Sequence, residues 1–446
     1  MSPTVRITTV KPPTSQVGGG PAEFSIPKLS THVLLRALKG VQTLNNAEAG
    51  KIKSDLAKAQ ANTDVANVHR RLLAANESSA DRIESLKRWI KAHPEGGDGE
   101  GHYTFADWKE AFERERDSVV PQDITKVVLA VAMLREASGR CLDLDVDDVW
   151  RLIYPALMSP TLPSSIAPTR SAQGFLKVKL SEILTTEPPK KDAVPLDQPI
   201  EEGDFPDDDE KDGEGEAKAV SGPADLKPIV RIEEQISLHV WVPDGQRGEP
   251  DFAIHAHQCF AQGWILAGEA ADHRYATRYS STPEDGEKLY NEYGPIWLGP
   301  DGKISEDDYV THQISSTVGN RGILVCAKES GKGTHSRGMS YRVPANAYHA
   351  TEVPPKAIHA TFFFFDGRRH FVQKAGILGP VGGKTNNVNR DPGGLTTTHL
   401  AAITELLRSS EPPVEKLCGY LDTTPSLGPG SSIYHTTLKP VTGHAD

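Results

Sequence analysis

The hydrophobic period changes once along this chain, and that change limits what the chain can fold into. Up to about residue 187 the apolar residues recur at helical spacing. From residue 228 onward they alternate, or run in short blocks between Gly, Pro, Asp and Asn. A period near 3.6 lines one face of a helix, and a period of 2 lines one face of a strand. The two patterns occupy separate blocks, which predicts an all-α domain over 26–187 and an all-β domain over 228–385. The stretch between them, 188–227, carries Pro pairs and the acidic run DQPIEEGDFPDDDEKDGEGE at 197–216. It has little to bury and reads as a linker extended by self-repulsion. Residues 1–25 read as a tail of Pro, Gly, Ser and Thr, with no apolar signal core. Residues 386–446 read as one helix, TTTHLAAITELLRSS at 396–410, followed by a Pro/Gly-rich tail.

Within the first block the helical stretches are THVLLRALKGV (31–41), SSADRIESLKRWIKAH (78–93, Ser79 as N-cap), TFADWKEAFERERDSVV (104–120), DITKVVLAVAMLREAS (123–138), VDDVWRLIYPALM (146–158) and SAQGFLKVKLSEIL (171–184). Trp89, Phe105, Trp108 and Phe112 fall at core spacing. The second block offers PIVRIEE, ISLHVWV, DFAIHAH, FAQGWILAG, HRYATRY, YVTHQISSTV, GILVCAK, SYRVP and AIHATFFFF as strands. Many short strands at close spacing predict a sandwich or barrel.

Composition removes several function classes. The 446 residues carry a formal net charge of −11 and no dense Lys/Arg stripe, so nucleic acid is not an expected partner. No apolar run is long enough to span a bilayer. Four scattered cysteines with no C-x-x-C fit a reducing compartment, and the expected location is cytoplasmic. Two tempting motifs fail. DLDVDDVWRLIY (143–154) has three EF-hand-like acids, but Asp148 stands where the glycine belongs and Tyr154 where the final glutamate belongs. Acids at a helix start explain it better. GPVGGKT (379–385) and SGKGT (330–334) lack the full phosphate-loop pattern and read as turns.

One constellation carries chemistry. In FAIHAHQCFAQGWILAGE (252–269), His255 and His257 share a face of a strand-like segment. Two imidazoles on a buried face need a partner, and a metal ion is one; structural or solvent-exposed histidines are the plainer alternative. The second segment, Gly338-MSYRV-Pro344-Ala-Asn346-Ala-Tyr-His349, ends a strand in a turn and places His349 just after it. Two histidines at i and i+2 plus a third from a facing strand make one face of an octahedron and leave the other open.

These two segments resemble the paired motifs of the cupin superfamily: Gly, several residues, His-x-His, three or four residues, Glu, then Gly; and Gly-x5-Pro-x-Gly-x2-His. The resemblance spans roughly 228–385. It implies a double-stranded β-helix, or jelly-roll barrel, with His255, His257 and His349 as metal ligands. The glutamate position holds Gln262, and Asn346 replaces the turn glycine, a residue that also accepts left-handed backbone. The segment between the motifs, 269–337, is long, with 285–308 as an insertion or lid. A site of three neutral histidines resembles the thiol dioxygenases, such as cysteine dioxygenase, although that family's catalytic Ser-His-Tyr set has no match here.

The resemblance implies a mononuclear oxidoreductase, dioxygenase-like, with Fe(II) favoured among Fe, Mn, Ni, Cu and Zn. The expected substrate is small and anionic. His359 and Tyr341 are the candidates for proton transfer, and Gln262, Arg342 and Tyr348 for the substrate pocket. Two rival readings remain. One is a ligand-binding or regulatory cupin without turnover, coupled to a helical domain that binds a protein partner. The other is an isomerase-type cupin that uses the histidines as acid and base. A homodimer stays open.

Overall fold

The structure, a computed structural model, describes residues 29–59, 63–92, 102–103, 122–140, 144–159, 168–187, 229–298, 304–305, 315–389, 391–410, 420–422 and 437–438. Its N-terminal region is mainly helical and its C-terminal region is β-rich. The helices are α1 (Thr31–Lys58), α2 (Thr63–Ala92), α3 (Gln122–Arg140) and α4 (Val146–Met158). A fifth, α5 (Thr397–Ser410), follows all but two short strands. The two-residue strands β1 (Leu29–Ser30) and β2 (His102–Tyr103) pair beside α1. The helix expected over 104–120, the linker 188–227 and the tail 1–25 lie outside the described residues.

Helix starts follow local chemistry. The Ser30 hydroxyl accepts the Val33 N–H at 3.3 Å and caps α1. The Asp145 carboxylate accepts the Asp147 N–H at 2.9 Å and caps α4. Asp147 in turn holds Arg337 at 2.6 Å and Arg408 at 2.5 Å, so these acids serve a helix N-terminus as expected. Ser79 is not a cap. Residues 63–78 contain no Pro or Gly, α2 runs straight through, and the Ser79 hydroxyl bonds back to the Ala75 carbonyl at 3.1 Å.

One expected helix is a strand. Residues 171–184 fall mostly in β4 (Leu176–Glu187), next to the short β3 (Thr169–Arg170), and β4 pairs with β5 (Ile229–Trp241). The period in FLKVKL is 2: Leu176, Val178 and Leu180 are buried, while Lys177 and Lys179 are half-buried on the other face. The β region therefore begins near residue 169, before the acidic stretch.

The remaining strands are β6 (Cys259–Ala267), β7 (Ala270–Tyr279), β8 (Lys288–Leu298), β9 (Ile304–Ser305), β10 (Ser315–His335), β11 (Ser340–Val343), β12 (His349–Glu352), β13 (His359–Phe371), β14 (Ile377–Gly379), β15 (Thr385–Asn389), β16 (Tyr420–Asp422) and β17 (Thr437–Leu438). They form a curled antiparallel arrangement. An eight-stranded sheet runs β17-β16-β11-β6-β13-β5-β4-β3. A seven-stranded sheet runs β12-β7-β10-β8-β14, with β15 on β10 and β9 on β8. Of the described pairings, β11 with β16 is parallel and the rest are antiparallel. The chain crosses from one sheet to the other between β6 and β7 at Gly268. There φ is +75° and a Cβ would meet the Ile358 carbonyl oxygen at 2.1 Å, so only glycine fits. Part of the 285–308 stretch is β8, a strand of the sheet. SGKGT lies inside β10 beside a bulge, not in a turn, while GPVGGKT does turn, at Gly382.

The two faces of the eight-stranded sheet have different fates. Leu176, Val178, Ile236, Leu238, Val240, Trp264, Leu266, Phe362 and Phe364 face the helices. They share one core with Leu34, Leu38, Val128, Val131, Trp150, Ile153 and Leu400. Helical and β regions are therefore joined through a common apolar interior, to which each fully buried aliphatic or aromatic side chain adds about 1.5–3 kcal/mol. A charged clamp reinforces it: Glu234 of β5 takes Arg36 at 2.8 Å, Arg135 at 3.0 Å and Arg368 at 2.7 Å. The opposite face carries Ala261, Ile265, Tyr341, Val343 and Phe363, and turns toward the histidines.

Candidate metal centre

The site is built by main-chain pairing of two distant segments. His255 donates its backbone N–H to the His349 carbonyl, and His349 donates back to His255, both at 2.9 Å. On the other side of the 254–257 segment, Ala256 bonds Gly376 at 2.9 Å and Leu378 bonds Ile254 at 2.8 Å. The segment is thus clamped between β12 and β14, with isolated bridges from His255 to His349 and to Ile377. His255 and His349 stand opposite each other, and His257, two residues along, presents its ring to the same side.

The turn before His349 is tied to the same segment. Asn346 has φ +62°, the one positive φ of a non-glycine residue among those described, and its N–H reaches the His257 carbonyl at 2.9 Å. Asparagine tolerates this backbone better than most residues.

The three rings form a nearly equilateral triangle. Centroids lie 4.9 Å apart for His255 and His257, 4.6 Å for His255 and His349, and 4.9 Å for His257 and His349. Each ring offers a nitrogen within 4.8 Å of the other two. The Nε2 atoms of His349 and His257 are 2.9 Å apart. His255 and His349 are buried and His257 half-buried. Two of the rings are oriented from behind. His255 Nδ1 lies 2.9 Å from the Ala253 carbonyl oxygen, so it carries the proton there and leaves Nε2 with a lone pair. His349 Nδ1 lies 2.8 Å from Asp272 Oδ1. His257 packs edge-on against Phe363 and Phe365 at 5.7 and 5.1 Å.

Burial keeps the His255 and His257 rings neutral. It pulls His255 down to about 3, helped by the neighbouring His349 and opposed by the Ala253 carbonyl and Asp272. Burial also holds His257 well below its usual range, with His255, His349, His239 and Lys177 acting in the same sense. Burial opposes ionisation of Asp272, but the His349 ring, His335 and Arg274 together keep the carboxyl below its ordinary value. Neutral imidazoles backed by a carboxylate are the state in which histidine binds metal.

The other expected site residues divide. Tyr341 reaches the inner face, where its ring lies over Gly263 and stacks on His335 at 4.6 Å; burial raises its phenol far above the usual value. His359 is on that face too, 5.3 Å from Trp241, and burial lowers it to about 3. No ring contact joins either residue to the three histidines, among the described residues.

Gln262 is not brought to the site. It pairs with Phe364, whose side chain is in the helix-facing core, while its neighbours Ala261 and Gly263 face the histidine side. Strand alternation therefore points Gln262 away from the metal ligands. Its amide is fully buried and makes no hydrogen bond.

Tyr348 directs its hydroxyl to Glu292 at 2.9 Å, and its ring packs with Ile254, Val325 and Leu378. Arg342 is opposite Gln262 in register and alternates with inner-facing Tyr341 and Val343, so its side chain shares the Gln262 face, although residue 342 borders a narrow cleft with Asp272, Arg274, Tyr348 and His349.

Three interior residues carry no motif signal: Asp272, His335, and His239, which stacks between Phe175 at 4.1 Å and Phe363 at 4.9 Å. Alternation along ADHRYATRY puts Asp272 and Arg274 on one face, but sequence does not say which face is inside.

Fold and site together define a β-rich protein with a buried three-imidazole group suited to a metal ion. No protein-family model, curated protein or solved structure matches the chain. Among the described residues, no helix is long and apolar enough to cross a membrane.

Proposed function

We propose that the chain is a cupin-type protein whose His255, His257 and His349 hold one divalent transition metal, Fe(II) by preference, and that it acts as a dioxygenase-like oxidoreductase on a small anionic substrate. The observation that carries this reading is the convergence of three imidazoles with His349 and His257 nitrogens 2.9 Å apart. Two nitrogens about 2.1 Å from one ion and at right angles to it would lie about 3.0 Å apart. The donor set fits the ion.

Strand order supports the jelly-roll part of the reading. The sequence β5, 254–257, β6, β7, β10, β11, β12, β13 distributes over two facing rows, β5-β13-β6-β11 and (254–257)-β12-β7-β10. That is the order of a double Greek key, with β8 inserted between β7 and β10.

A bound Fe(II) supplies redox chemistry with dioxygen. The protein's own contribution is the fixed triangle of donors, a dry aromatic wall at Phe363 and Phe365, and a site charge that three neutral ligands leave positive and attractive to an anion. Tyr341 and His359, inside the same chamber, are the groups proposed to hold or pass protons. The proposed location is the cytoplasm.

Elemental analysis of the full chain beside a His255→Ala/His349→Ala variant tests this. The expected result is close to one transition-metal ion per wild-type chain and none in the variant. Oxygen uptake with small anionic compounds then reads the activity. A wild type that stays metal-free after anaerobic loading overturns the enzyme reading and leaves a ligand-binding barrel joined to its helices.

A further inference from the structure

Gln262 supplies no charge to the site, and three imidazoles supply none. Yet one buried carboxylate does approach it. Asp272 is 2 % exposed, and its Oδ1 lies 2.8 Å from Nδ1 of His349. The two residues sit on paired strands. β12 pairs with β7 so that Thr351 is opposite Asp272 and His349 opposite Arg274, which makes Asp272 the diagonal neighbour of His349. Arg274 approaches the other Asp272 oxygen at 3.7 Å and steadies the carboxylate.

We propose that Asp272 is the positioning residue of the metal site: it fixes His349 as the Nδ1–H tautomer, aims Nε2 at the ion, and supplies through that ring the negative charge that Gln262 does not. This rests on the metal-site reading. The physical basis is general. A metal-bound imidazole that donates its other N–H to a carboxylate is held in one tautomer and one orientation and is a more basic ligand. His255 uses a neutral carbonyl for the same purpose, at Ala253. The two backings differ in charge, so the His349 arm is the one that offsets the ion.

The test uses Co(II) as the probe on the full chain. Co(II) affinity is measured by competition with a chelator for wild type, Asp272→Asn and Asp272→Glu, with the metal-free unfolding midpoint of each as a control. The asparagine side chain keeps the shape and an acceptor oxygen but loses the charge. Its affinity should fall about 10–100-fold, the usual cost of losing such a partner, and glutamate should recover part of the loss.

Proton NMR of the Co(II) form gives a second readout that a structural role would not move. The wild type should show two slowly exchanging, hyperfine-shifted imidazole N–H signals, from His255 and His349. Asp272→Asn should speed exchange of one alone. An Asp272→Asn affinity within twofold of wild type overturns the proposal. If that variant does not fold, the wild-type spectrum decides, because a single slowly exchanging signal overturns it as well. A wild type that binds no Co(II) sinks the metal-site reading itself, and this inference with it.

Discussion

His255 and His349 hold each other by main chain alone: each N–H reaches the other's carbonyl at 2.9 Å. The geometry of two ligands that lie far apart in sequence is therefore set before either side chain is considered. Side-chain removal should cost the metal and spare the fold. His257→Ala and His349→Ala, each as a single change, should leave far-UV circular dichroism as in wild type and reduce bound metal below detection at stoichiometric loading. Retention of metal by either variant would show that the triangle is not the site.

The chamber should make the metal-free protein sensitive to mild acid. Burial holds His239 well below its usual range, with Lys177 adding to the effect. Burial also lowers His335 to about 4, and His359 to about 3. In the unfolded chain each titrates near 6.5. Below that value the unfolded state binds protons that the folded state refuses, so stability is complete above pH 6.5 and is lost as pH falls toward 4. Each such ring contributes a slope of about 1.4 kcal/mol per pH unit in that window. Urea midpoints between pH 7.5 and 4.5 check this. A flat profile would mean that these rings are hydrated.

The clamp at Glu234 predicts joint unfolding of helices and sheet. Arg36 of α1, Arg135 of α3 and Arg368 of β13 share that one carboxylate. Glu234→Gln leaves buried Arg135 without its carboxylate, while half-buried Arg36 keeps Glu233 and exposed Arg368 keeps Asp366; losing one partner of a buried pair such as Arg135–Glu234 costs about 3–5 kcal/mol. Chemical denaturation followed by tryptophan fluorescence should show one transition, moved to lower denaturant. Two separated transitions in wild type would contradict the shared core.

The three-histidine grouping is legible in the sequence because its residues carry local constraints. His-x-His on one face, a glycine at 268 and a left-handed-tolerant Asn346 each follow from backbone geometry that sequence encodes. Two things were hidden. Leu176, Val178 and Leu180 alternate like a strand, yet the helical stretches before them favour reading 171–184 as one more helix; pairing with β5, beyond the acidic stretch, decides otherwise. Asp272 has no spacing rule at all. It reaches His349 from a neighbouring strand 77 residues away in sequence, and only register reveals it.

Gly263 marks a tight point of the inner face. A Cβ there would meet the Tyr341 ring at 2.5 Å. Gly263→Ala should push that ring off His335 and destabilise by about 1–3 kcal/mol, the range for overpacking. Differential unfolding measures it, and an unchanged midpoint would mean that the ring has room to move.

Gln262 separates the motif reading from the structural one most sharply. If its position in the motif made it a ligand or a pocket residue, replacing it by leucine would weaken metal or substrate binding. In the structure its amide is fully buried on the helix-facing side, opposite Phe364, and neither its oxygen nor its nitrogen has a hydrogen-bond partner. An unpartnered buried polar group costs about 1–3 kcal/mol, and an apolar replacement of similar shape removes that cost. Gln262→Leu is therefore expected to hold or raise the urea midpoint and to leave metal stoichiometry unchanged. Loss of metal in this variant, with the fold intact, would return Gln262 to the site and overturn the strand register that turns it away.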